Sequence, residues 1–393
     1  MANPLLELTK HGQSVWYDNL NRELLVTGRL QEMVNKDGVS GGTSNPSIFQ
    51  KALAASDVYD GHLGDLVRQG LDIAGIYDGL TVTDVQMSAG VFRPVYDDTQ
   101  GADGYASLEV SPDLAYDTEA SIEAARRLFR ALGRPNAMIK IPGTNEGLPA
   151  VELCLAEGLN INITLLFSVE VYEKVAWAYI SALEKRAERG ERVDAIGSVA
   201  SFFVSRVDTL TDKKLEEKIE AAENEQERQK LRDLQGKAGI ANARIAYQKY
   251  KEIFSSPRWQ KLEAMGARPQ RCLWASTSTK NPNYRDVMYV EELIGPNTIN
   301  TMPQETLDAF RGHGVVSDSL ERDVEAAFEH MERLAELGIG FRAVTDELQK
   351  QGVDLFCDSF HKAVESIKEK VAWRQGGGLM HRPLTSGRRP ARR

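Results

Sequence analysis

The chain has 393 residues, 42% of them hydrophobic and 27% charged, the composition of a globular protein with a large core. A net charge of −9 with no basic face in the body argues against nucleic acid as a partner, although a local Arg and Lys cluster can still receive a small anion. No apolar run of about 18 residues occurs, so nothing reads as a membrane span.

The opening stretch, MANPLLELTKHGQSVWYDN, lacks a charged region followed by an apolar core and a small-residue cleavage site. Cys154, Cys272 and Cys357 are scattered without CxxC spacing. Both features predict a protein of the reducing cytoplasm, with neither a disulfide framework nor a zinc site.

Eight short segments rich in β-branched and apolar residues follow in chain order, at 15–18, 41–45, 105–110, 138–141, 160–167, 199–204, 272–276 and 298–302. The second is the weakest, because Gly41 and Gly42 have low strand propensity. Amphipathic patterns such as 117–125 lie between them, and eight strand–helix repeats predict a closed (β/α)8 TIM barrel. One barrel domain is expected over 1–373. Within it, 211–258 reads as a charged, solvated helical pair inserted before the seventh strand, and 318–373 reads as a C-terminal helical extension. The Gly, Pro and Arg-rich tail, 374–393, reads as disordered.

In such a barrel, polar residues at the C-terminal strand ends line the active site. They are Asp18, Asn45, Glu109, Lys140, Asn162, Thr164, Ser201 and Ser276. Lys140 is the most informative, because it interrupts the apolar run Met138-Ile139-Lys140-Ile141. A lysine there either reaches water or accepts desolvation, which favours the neutral amine over the ammonium. An amine can form an imine with a carbonyl, the carboxylates can move protons, and the amides and hydroxyls can orient a polyol. Arg206 and Lys280 follow strand ends and suit a terminal phosphate.

Each has a structural alternative. Asp18 would serve as a helix N-cap, and Asn45-Pro46 is a helix-start signal. Glu109 and Lys140 would form a buried ion pair with no chemistry. Pro142-Gly143-Thr144-Asn145-Glu146-Gly147 joins a strand to a helix but lacks P-loop and GxGxxG spacing, so it reads as a turn with Thr144 or Asn145 starting the helix.

Taken together, GGTSNPSIF (41–49), AYDTEASIEAARRL (115–128), MIKIPGT (138–144), GLNINITLLFS (158–168) and SFFVSRVD (201–208) resemble the transaldolase family, in order and over about 10–315. The resemblance implies a (β/α)8 barrel of the pentose phosphate pathway. Such an enzyme moves a dihydroxyacetone unit from sedoheptulose 7-phosphate to glyceraldehyde 3-phosphate, needs no cofactor or metal, and acts as a monomer or homodimer on small sugar phosphates. It implies Lys140 as the Schiff-base lysine, Asp18 as the acid/base of carbon–carbon cleavage, and Glu109 with Thr164 as the pair that positions water. It further implies that Asn45, Asn162 and Ser201 hold the dihydroxyacetone part and Arg206 the phosphate. Two features depart from the pattern. Lys280 stands where many relatives have an arginine shortly after a serine, with Ser276 and Ser278 both candidates for that serine; and the chain is longer than the commonest form. Aldolases of the same superfamily, which tend to carry glutamine where this chain has Glu109, are the nearest alternative. A non-catalytic scaffold docking through 211–258 is the alternative from another class.

Overall fold

The computed structural model describes residues 3–375. Eight parallel strands close into a barrel in chain order: β1 Gln13–Tyr17, β2 Val39–Thr43, β3 Ala106–Glu109, β4 Ala137–Pro142, β5 Ile161–Leu166, β6 Ser198–Phe203, β7 Arg271–Ala275 and β8 Thr298–Met302. Closure is by β1 on β8, with Gln13 opposite Thr298 and Tyr17 opposite Met302.

The strand side chains divide between two cores with the period of two that a strand imposes. Trp16, Met138, Val199, Leu273 and Ile299 share one apolar cluster, whereas Val15, Ile139, Ala200 and Trp274 belong to the larger one. The two glycines that weakened β2 as a strand have a packing cause. A Cβ on Gly41 would stand 2.5 Å from the Trp16 indole, and one on Gly42 would stand 2.9 Å from Leu20. Tertiary packing overrides propensity here.

The charged stretch 211–258 divides differently from the expected solvated pair. Helix Ser205–Ala221 begins at the end of β6, Glu225–Arg232 forms the short charged excursion, and Ala238–Ile253 is the barrel's own crossover helix. That last helix buries Ala243, Ala246, Tyr247, Tyr250 and Ile253, so the solvated charge is concentrated before it, on a stretch that itself buries Asp212 and Leu215. A composition window hides this boundary, because the charge runs up to Lys237 and the apolar 3.6-residue period starts immediately after.

Two helices follow β8's own. Val324–Glu336 packs on the crossover helix Ala238–Ile253, and Phe341–Gln375 runs across the C-terminal end of the barrel. Gln349 Nε2 donates to the Gly143 carbonyl at 2.9 Å, and Gly352 lets the long helix approach Leu165, whose Cδ2 would be 2.9 Å from an added Cβ. Further along, Ser359 Oγ meets Ser47 Oγ at 2.6 Å and Lys370 pairs with Asp60 at 2.6 Å. The expected tail falls almost wholly outside the described residues.

Candidate active site

A cavity of about 520 Å³ opens at the C-terminal ends of the strands. Lys140, Asp18, Thr164, Asn45, Ser201, Arg206, Ser276 and Lys280 all line it. Glu109 and Asn162 do not; they stand behind the lysine as its strand neighbours, Glu109 opposite Lys140 on β3 and Asn162 opposite it on β5.

Lys140 Nζ donates to Glu109 Oε2 at 3.0 Å, and both side chains are buried. Burial pushes the Glu109 carboxyl above the usual carboxylate range, and the Lys140 charge pulls it back. The ion pair foreseen as the structural alternative therefore exists. It does not exhaust either residue, since Lys140 borders the cavity and Glu109 Oε1 is buried without a partner among the described residues. Thr164 Oγ1 is likewise buried without one. A bulge in β5 sets that threonine: the register shifts between Ile163 and Leu166, and Leu165 takes a left-handed φ of 58°. Over the lysine lies Phe356 of the long C-terminal helix, its ring centroid 5.5 Å from Nζ.

Asp18 follows β1, its amide donating to the Met302 carbonyl at 3.1 Å. It is not a helix cap: the next helix, Arg22–Val26, is capped by Asn21. Burial first, and the Glu305 charge second, raise the Asp18 carboxyl to about 7, against the pull of Lys140 and Lys280. A carboxyl held there gives up and takes back a proton near neutral pH, which suits a general acid/base.

Asn45 has two attachments. Its Oδ1 accepts from Ile48 N at 3.0 Å as the cap of helix Pro46–Ala55, and the residue also lines the cavity. Ser201 Oγ donates to Asn162 Oδ1 at 2.7 Å, and Asn162 Nδ2 donates to Ser107 Oγ at 3.1 Å, a chain that fixes the amide orientation. In the predicted turn, Thr144 Oγ1 accepts from Gly147 N at 3.0 Å, but the following helix, Gly147–Ala156, starts later than expected, with Glu146 at its N-cap position.

Arg206 lies in the first turn of helix Ser205–Ala221, with its guanidinium carbon 5.7 Å from the Phe203 ring centroid. Neither it nor Lys280 has a carboxylate partner among the described residues, so both charges are available to an anion. Lys280 Nζ donates to Ser278 Oγ, and Ser276, at a left-handed φ of 55°, shares a 2.9 Å hydrogen bond with Ser205 Oγ. Both serines line the cavity. Among the described residues no group of three or more His, Cys, Asp or Glu could hold a metal.

Strand-end reading overlooked Thr43 and Thr301, which line the wall from β2 and β8. Thr301 was findable, since it continues the inward face of Ile299 two residues on. Glu305 and Phe356 carried no comparable signal, one lying in a helix and the other more than 200 residues from Lys140.

The family model described as transaldolase/fructose-6-phosphate aldolase matches residues 15–367. Among similar proteins is the transaldolase of Trichodesmium erythraeum, 48% identical over 94% of this chain and 98% of that one. Transaldolase 2 of Nostoc punctiforme is 50% identical over the same shares, and the transaldolase of Thermobifida fusca is 45% identical over 95% and 99%. With that identity across nearly the whole length, on a barrel with a lysine at the end of β4, the chain belongs to the transaldolase/fructose-6-phosphate aldolase family.

Proposed function

We infer that this protein is a transferase, a transaldolase, moving a dihydroxyacetone unit from sedoheptulose 7-phosphate to glyceraldehyde 3-phosphate. The observation that carries the reading is a lysine set in a barrel strand, held by a buried carboxylate and facing a cavity that also presents Asp18 and two cations without a carboxylate partner among the described residues.

In the proposed sequence the Lys140 amine attacks the ketose carbonyl, and loss of water gives the iminium. Glu109 Oε1 and Thr164 Oγ1, both buried without a protein partner among the described residues, would hold the water that leaves and returns. Asp18 takes the proton of the hydroxyl beside the scissile bond. That bond breaks toward the iminium, whose nitrogen accepts the electron pair, so erythrose 4-phosphate leaves and an enamine stays on Lys140. The acceptor aldehyde then enters, the enamine carbon attacks it, and Asp18 returns its proton to the new alkoxide. Hydrolysis of the iminium frees fructose 6-phosphate. A carboxyl near 7 serves both directions of proton movement. Asn45, Asn162 and Ser201 would hold the three-carbon unit, and Arg206 with Lys280 the phosphate.

Glu109 favours transfer over the simple aldolase of the same family, because its carboxylate both orients Lys140 and keeps an oxygen for water. The setting would be the pentose phosphate pathway in the cytoplasm, a placement supported by three unpaired, scattered cysteines. The test is a coupled assay of erythrose 4-phosphate with fructose 6-phosphate. Sedoheptulose 7-phosphate and glyceraldehyde 3-phosphate should form together, whereas release of free dihydroxyacetone at the same rate with or without acceptor would contradict transfer.

A further inference from the structure

Asp208 and Asp212 lie four residues apart, one turn from each other, on helix Ser205–Ala221, Asp208 standing just beyond Arg206 on the same helix, and are 1% and 6% exposed. Neither lines the cavity, and neither has a basic partner among the described residues. Two buried carboxylates on one helix face need donors to offset their desolvation. Each obtains a backbone amide and a tyrosine hydroxyl. Asp208 accepts from Gly239 N at 2.7 Å and from Tyr289 at 2.7 Å, and Asp212 accepts from Gly236 N at 2.9 Å and from Tyr284 at 2.6 Å.

Both tyrosines belong to the segment after β7, which also carries Ser276, Ser278 and Lys280. The two cations offered to phosphate therefore stand on different elements, Arg206 on the helix and Lys280 on the loop, and their separation depends on what ties one to the other. Among the described residues Lys280 is bonded only within its loop, to Ser278. Four residues before it, Ser276 is tied to Ser205 of the helix by side chain and main chain. Four residues after it, Tyr284 is tied to Asp212.

We propose that Asp212 and Tyr284 are positioning residues for phosphate recognition: with the Ser205–Ser276 contact, they clamp the loop to the helix on both sides of Lys280 and so set its distance from Arg206. The proposal rests on reading Arg206 and Lys280 as phosphate ligands. It explains why carboxylates are buried on this helix with no part in the chemistry.

Tyr284→Phe removes one hydroxyl and leaves a ring packed against Gly236, where an added Cβ would meet it at 2.8 Å. One lost hydrogen bond is expected to raise KM for fructose 6-phosphate roughly three- to tenfold. The kcat, and the KM of unphosphorylated fructose, should stay within about twofold of wild type. Because Tyr284 acts through Lys280, the double variant Tyr284→Phe/Lys280→Ala should be no worse than Lys280→Ala alone. Equal effects on phosphorylated and unphosphorylated sugars, additive effects of the two substitutions, or an unchanged KM would overturn the proposal. Borohydride trapping of the wild-type protein with fructose 6-phosphate separates the two levels. No adduct on Lys140 overturns the reading beneath the proposal; an adduct together with an unchanged variant KM overturns the proposal alone.

Discussion

Asp18→Asn should make the protein less active and more stable, and the gain in stability should depend on pH in a defined direction. The wild-type carboxyl is raised from 3.8 to about 7, chiefly by burial and then by Glu305. A displacement of about three pH units corresponds to no more than about 4 kcal/mol at 1.4 kcal/mol each. Asp18 borders an open cavity whose water screens part of that, so about 2 kcal/mol is expected. Because the folded-state value is the higher one, stability is fully present below the unfolded value of 3.8 and is lost as pH rises through about 7. The amide does not titrate and escapes that loss. Urea-denaturation midpoints of the two proteins should coincide near pH ~3 and diverge near pH ~8.5, the variant being the more stable. The same variant should still form the imine with fructose 6-phosphate while cleaving the ketose roughly 10²–10⁴ times more slowly. A stability difference of the same size at both pH values, or a variant less stable at the alkaline one, would refute the reasoning; rapid turnover by the variant would remove Asp18 from its role.

Other consequences are separable. Lys140→Met should form no imine and should lose roughly 3–5 kcal/mol of stability, because Glu109 is left buried without its partner; unfolding midpoints check the second effect independently of activity. Arg206→Ala should raise KM for fructose 6-phosphate by roughly ten- to a hundredfold, the worth of a charge-assisted contact, and leave unphosphorylated fructose almost unaffected. Equal effects on both sugars would count against a phosphate contact. Phe356→Ala uncovers Lys140 and should raise the share of donor released as free dihydroxyacetone, measured by product ratio at fixed acceptor concentration. An unchanged ratio would show that the ring does not shield the enamine from water.

Barrel order and strand positions were legible because eight apolar segments alternate with amphipathic ones, and both periods are local properties of the chain. The candidate site was legible for a related reason. Polar residues at strand ends are conspicuous in apolar runs, and Lys140 within Met138–Ile141 is the clearest of them. What escaped was whatever depends on distant packing. Trp16 makes Gly41 a strand residue, Asn21 rather than Asp18 caps the helix after β1, and the crossover helix Ala238–Ile253 hides at the edge of a charged window. Phe356 reaches Lys140 only because a 35-residue helix crosses the barrel mouth, which no spacing near Lys140 announces. The asparagine at 45 shows that the two readings of a polar residue need not exclude each other, since one oxygen caps a helix while the residue borders the cavity.

The most direct test of the account is borohydride reduction in the presence of fructose 6-phosphate, followed by intact-mass and peptide analysis. The account predicts one reduced dihydroxyacetone adduct, on the peptide containing Lys140. A folded protein that gains no adduct, or gains it on another lysine, would leave Lys140 as the structural partner of Glu109 and contradict the mechanism.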